Sequence, residues 1–348
     1  MNVDKKIKNL GIEKLCEVDK EQKQVLANEV ANTLIQKFPN SRLNKEKIEN
    51  KLLDTKMYIA NIPKGMLKVN YMYMNSSIYF DKSVQLEKLD EFILHECIHR
   101  IQEYKNKNNR LVQLGTCNFA TTKIIGLAFN EASIEYIISK VLKTERSLIQ
   151  VYGINIPVIS GKYYSMVTNL IEQIVYLIGE DVLVDSTINC NDEFIYKCID
   201  NFGEKNFYTI RDNFDKILST QDNISKLLVE YKEKEKIKTD IKQLQDTYFE
   251  TQELITTSFF NTLLALINSL DEIEKCKQKV LNYKELIGRT ENYEFFEKYF
   301  EELSTKILDK EEKIKSSNAL MVISNNPIFK AFRAIKKLFT RPNMEYDK

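Results

Sequence analysis

Along most of the chain apolar residues recur every three or four positions, the spacing that gathers them on one face of an α-helix. Residues 3–38 follow this period, with Val25, Leu26, Val30, Leu34 and Ile35 as the stripe, up to a break at Pro39-Asn40-Ser41. A short helix is predicted over 44–54. The period then changes. Met57–Ala60, Val69–Met74 and Ser77–Phe80 are rich in aromatic and β-branched residues, with Pro63 and Gly65 after the first and Asn75-Ser76 as the turn before the last. They predict a small sheet of about three strands. Helical spacing returns at 89–104, where Ile93, Leu94, Cys97, Ile98 and Ile101 make an apolar stripe and Asp81 or Ser83 is the expected cap. Residues 105–120 read as a loop and 121–142 as a second, largely buried helix. Residues 150–161, with Pro157 and two glycines, read as another loop, and 162–178 as a helix ended by Gly179. From about 190 onward the pattern is one of long helices. The stretch 224–250 is polar with a thin stripe, 251–284 is more apolar, and 291–315 is amphipathic. Two or three of these helices are expected to pack as a hairpin or bundle.

Composition supports this reading. The chain has 348 residues with only 9 glycines and 5 prolines, which favours helix. The expected class is therefore α+β, mainly α. Three regions are expected: an N-terminal helical segment (1–54), a core of sheet and helices (55–188), and a helical C-terminal region (189–348). A net charge of +1 gives no global basic field, so a nucleic-acid partner is not expected. The six cysteines form no C-x-x-C pair, which points to free thiols. No apolar leader and no run of about 18 apolar residues is present, so the expected location is the cytoplasm. Within the C-terminal region, residues 327–341 combine an apolar side (Ile328, Phe329, Phe332, Ile335, Leu338, Phe339) with Lys330, Arg333, Lys336 and Lys337. Such a helix suits an anionic membrane surface or a partner protein; docking on the rest of the chain is the plainer reading.

Candidate chemistry lies in the helix at 89–104. His95-Glu96-Cys97-Ile98-His99 is an H-E-x-x-H pattern, which puts two imidazoles one turn apart on one face, with a carboxylate beside them. The chain has two histidines, and both are in the motif. Chance would produce that placement, with the glutamate, roughly once in a few thousand sequences. A catalytic zinc takes three protein ligands, and no further histidine remains. The second buried helix carries Asn130, Glu131 and Glu135, and buried carboxylates are costly unless paired or metal-bound. Glu131 is the better third ligand, because Glu103 is carried away from the metal along a straight helix. Glu135, one turn on, suits an acceptor behind a ligand histidine. Gln102 and Lys105 occupy the glycine and third-histidine slots of the metzincin pattern, which excludes that class.

His95-Glu96-Cys97-Ile98-His99 with the downstream Asn130-Glu131-x-x-x-Glu135 resembles the gluzincin class of zinc metallopeptidases, over roughly residues 55–180, with Glu135 where the class usually has aspartate. More loosely, the stretch looks like the clostridial neurotoxin light chains of the same broad class. The gluzincin resemblance implies a zincin-like catalytic domain binding one Zn2+ through His95, His99 and Glu131. Glu96 would be the general base for peptide-bond hydrolysis by metal-activated water. It further implies Glu135 and Asn130 as outer-shell partners, and an edge strand, Ser77–Phe80, to which an extended peptide or protein substrate adds. With no third histidine in the chain, the oxyanion donor would be a tyrosine or an arginine, with Tyr164 and Tyr163 as the candidates; for each, a packed core tyrosine is the plainer role. The alternative is a catalytically silent protein of the same fold, acting through its helical C-terminal half in interaction or regulation.

Overall fold

The computed structural model describes residues 3–119, 124–159, 164–229, 234–287 and 293–325. Its elements are α1 (Val3–Asn9), β1 (Glu13–Glu17), α2 (Lys20–Lys37), α3 (Lys45–Leu53), β2 (Lys56–Asn61), β3 (Val69–Met72), β4 (Ser77–Asp81) and α4 (Glu91–Ile101). There follow β5 (Glu103–Lys105), β6 (Leu111–Leu114), β7 (Cys117–Asn118), α5 (Leu127–Val141), β8 (Ser147–Val151) and β9 (Ile154–Val158). The remainder is helical: α6 (Ser165–Ile178), α7 (Glu180–Asn189), α8 (Glu193–Phe202), α9 (Glu204–Val229), α10 (Lys234–Leu266), α11 (Leu270–Ile287) and α12 (Tyr293–Asn325). This is the α+β, mainly helical class that the periodicities predict.

The expected helix over 3–38 is broken in two. Gly11, at φ +79 and packed on Pro63, turns the chain out of α1 into β1. All five residues of β1 are exposed, so no alternation of apolar and polar positions marked it. It pairs antiparallel with β2; β2 runs parallel to β4, and β4 antiparallel to β3. The sheet is therefore mixed and four-stranded, in the order β1-β2-β4-β3. One face packs Val69, Ile78 and Phe80 against α2 and the apolar stripe of α4, where Ile93, Leu94, Cys97 and Ile98 are fully buried.

Two expected loops are sheet instead. Residues 105–120 contain most of the small antiparallel β5-β6-β7 sheet, and 150–161 lie largely in the β8-β9 hairpin. The strands of the first are short and largely polar, whereas β9 does alternate, with Ile154, Ile156 and Val158 buried and Asn155 and Pro157 between them; the proline and two glycines of this segment outweigh that period. The helix expected over 121–142 begins only at Leu127, behind a left-handed Gly126 whose Cβ would meet Arg211 and the Thr116 carbonyl.

The chain divides into two compact units, Met1–Phe259 with Leu286–Asn292, and Phe260–Glu285 with Tyr293–Lys348. Within the first unit β1 belongs to the four-stranded sheet, and α9 packs on α5. Phe129 of α5 packs at 5.9 Å from Phe207 and 5.2 Å from Phe214, both of α9. In the second unit the end of α10, α11 and α12 meet through Phe260, Tyr283 and Phe300. Lys277 and Glu311 pair there at 2.6 Å. None of the six cysteines is paired. Among the described residues no helix is long and apolar enough to cross a membrane. The basic stretch 327–341 lies outside the described residues.

One polar contact sets where α5 starts. Its own N-terminal residue offers no side-chain cap. Asp215 of α9 does so from outside, accepting from Gly126 N–H and Ala128 N–H, both at 2.8 Å. An anion at a helix N-terminus satisfies orphan donors and meets the positive end of the dipole. Replacing Asp215 with alanine should lower stability by about 1–2 kcal/mol, seen as a lower urea midpoint at unchanged slope. An unchanged midpoint would show that α5 does not depend on this cap.

Candidate metal centre

α4 starts at Glu91 because Asp90 caps it, accepting from Ile93 N–H at 2.9 Å. Asp81 and Ser83 are engaged with each other instead, in a turn after β4. The helix ends sooner than its sequence suggests. Gln102 is its C-cap, and Glu103 opens β5. Lys51 of α3 seals that end, donating to the carbonyls of Ile101 at 2.5 Å and Glu103 at 2.6 Å. Its apolar stripe faces the core, which turns His95, Glu96 and His99 toward α5.

α5 answers with Glu131 and Glu135, both buried. His95 Nε2 stands 3.0 Å from His99 Nε2 and 3.2 Å from Glu131 Oε2. His99 Nε2 stands 3.4 Å from Glu131 Oε1. These three residues could hold a metal ion, their ligand atoms lying within 4.8 Å of one another. A tetrahedral ion with bonds of about 2.0–2.1 Å spaces its ligand atoms by roughly 3.3 Å. The cluster already has that spacing.

The outer nitrogens are also occupied. His95 Nδ1 lies 3.0 Å from Glu135 Oε1, the contact that holds a ligand imidazole with its Nε2 lone pair turned outward. His99 Nδ1 lies 3.0 Å from the Gln102 amide, not from Asn130. Asn130, expected as an outer-shell partner, is fully buried and instead accepts from Thr116 N–H at 3.1 Å. Gln102 Oε1 and Asn130 Nδ2 are buried without partners, at a cost of about 1–3 kcal/mol each.

Three buried carboxylates surround two imidazoles. Burial raises the pKa of Glu96, against the pull of both histidines and of Tyr71 N–H. Burial would do the same to Glu131, but the charge of His99 and hydrogen bonds to both rings bring it well below the usual carboxylate range. A divalent cation would neutralise this excess of acid, and the donor set of two imidazoles and a carboxylate suits zinc.

Glu96 Oε2 accepts from Tyr71 N–H of β3 at 2.7 Å. The Tyr71 ring stacks on His99, with centroids 6.2 Å apart, and its hydroxyl bonds Glu103. Glu103 also takes the Ser76 hydroxyl at 2.9 Å and lies 3.4 Å from Lys105 Nζ. It is thus a strut between β3 and the end of α4, consistent with its exclusion as a ligand. Tyr164 stands half-buried at the start of α6, where burial and the charges of Glu131, Glu135 and Glu96 raise its pKa. Tyr163 lies outside the described residues. Sequence reasoning missed Tyr71, whose contribution is partly a backbone N–H. It also passed over Gln102, which the helical spacing of three from His99 could have marked.

His95 supplies a test of the centre. Burial alone would depress its pKa, but hydrogen bonds to Glu131 and Glu135 overcome this and raise it well above 6.5. The protonated ring is therefore favoured beyond the ordinary imidazole range in the metal-free protein, and binding an ion must expel that proton. Apparent zinc affinity should climb as pH rises from about 6 to 8, with proton release. Calorimetry in two buffers of different ionisation enthalpy reads both; affinity independent of pH and buffer would contradict it.

No protein-family model, curated protein or solved structure matches the chain, so the functional reading rests on the geometry of this centre.

Proposed function

We propose that this protein is a zinc-dependent peptide hydrolase of gluzincin type, with a zincin-like catalytic unit. The observation that carries the reading is the convergence of His95 Nε2, His99 Nε2 and the Glu131 carboxylate at ligand spacing. The chain's only two histidines, from one helix, meet there with an acid from another.

When bound, a zinc ion supplies a Lewis acid and makes water a competent nucleophile near neutral pH. The rest falls to the chain. His95, His99 and Glu131 hold the ion, and Glu135 fixes the ring of His95. Glu96 is the base: its raised pKa suits a carboxylate that accepts a proton from water and returns it to a leaving amine. The Tyr71 N–H holds one of its oxygens, which aims the other. Tyr164, kept protonated by burial and then by its acidic surroundings, is the candidate donor to the developing oxyanion.

The expected docking strand needs correction. Ser77–Phe80 lies in β4, which is paired on both sides and buried, so no peptide can add there. β3 is the outer strand on that side. Its Tyr71 N–H points away from β4, toward Glu96. An extended peptide adding to this edge would run past the base and the ion together.

Glu96→Gln should keep zinc at one ion per chain and cut cleavage of casein or a peptide library by about 10²–10⁴-fold. Undiminished cleavage would remove Glu96 from the chemistry. Zinc held by a wild type that cleaves nothing offered would favour the silent, interaction-based alternative.

A further inference from the structure

Gln102 stands behind the second ligand imidazole, His99. It caps α4 one turn beyond His99, and its side chain is fully buried. The Nε2 end of its amide lies 3.0 Å from His99 Nδ1, and Oε1 has no partner. Asn130 Oδ1, held by Thr116 N–H, shares the same small space. A Cβ on Gly115, at φ +55, would stand 2.2 Å from Asn130 Oδ1 and 2.3 Å from Gln102 Oε1. Two acceptors thus crowd one point, and only a glycine leaves them room.

With Nε2–H donating to Nδ1, the ring proton of His99 sits on Nε2. There Glu131 Oε1 at 3.4 Å can accept it. That arrangement is self-consistent without an ion. Holding an ion needs the Nε2 lone pair, so the proton must move to Nδ1. A half-turn of the amide exchanges two nearly isosteric ends. Oε1 then accepts from Nδ1–H, and Nε2–H turns toward the space that Asn130 Oδ1 shares beside Gly115.

We propose that Gln102 is the positioning residue of His99, and that the orientation of its amide follows occupancy of the metal centre. The inference rests on the metal reading of the centre. It makes the two ligand rings unlike: a carboxylate, Glu135, backs His95, whereas a neutral amide backs His99. The amide orients its ring without adding a fourth acid to a site that already buries three.

The test uses full-length protein, metal-free and zinc-loaded, because two histidines give two readable imidazoles in long-range proton–nitrogen spectra. In zinc-loaded wild type His99 should carry its proton on Nδ1; in the metal-free protein, on Nε2. Zinc affinity, measured by competition with a chromophoric chelator, should fall about 10–100-fold in Gln102→Met. Gln102→Glu, whose carboxylate accepts the same proton, should recover most of that loss. A purely structural role would move neither the tautomer nor the rescue. Equal zinc affinity in wild type and Gln102→Met, or a zinc-loaded His99 protonated on Nε2, overturns the proposal while leaving the metal reading intact. Absence of zinc uptake by wild type would overturn both.

Discussion

Glu96, Glu131 and Glu135 are buried around His95 and His99, and the structure near them is arranged to bear that charge. A carboxylate taken out of water is costly unless a partner meets it at close range. Here each has one: a strand N–H for Glu96, both Nε2 atoms for Glu131, and Nδ1 of His95 for Glu135. The partners come from two helices and a strand, so the cluster persists only if α4, α5 and β3 keep their places to within a few tenths of an ångström.

The scaffold supplies that precision by tying down helix ends. Asp90 fixes the start of α4 and Lys51 its end; Asp215 fixes the start of α5 from a neighbouring helix. Burial holds the middles. The inward face of α4 is aliphatic, and Phe129 of α5 lies among Phe194, Phe207 and Phe214. Glu103, Tyr71 and Ser76 then lock the outer strand to the end of α4. α8 and α9 are therefore not an appendage. α9 is part of what aims Glu131.

Much of this was legible in the sequence, because helical period and ligand spacing are both local properties. His95 and His99 lie one turn apart in any helix, and Glu131 and Glu135 likewise. The apolar stripe of α4 forced its polar face toward whatever packed there. What stayed hidden was non-local. β1 is exposed on all its residues and exists because β2 offers it an edge. The order β1-β2-β4-β3, which buries β4 and leaves β3 outside, depends on a parallel crossover that no local pattern encodes. Gln102 was read as a motif mismatch, although its spacing of three from His99 is a helical one.

The most direct measurement of the central claim is X-ray absorption at the zinc edge of purified, zinc-loaded protein. The account predicts two imidazole nitrogens and at least one oxygen at about 2.0–2.1 Å, with no sulfur, and loss of one imidazole in His99→Ala. Sulfur at about 2.3 Å, or a spectrum that His99→Ala leaves unchanged, would place the ion elsewhere and contradict it.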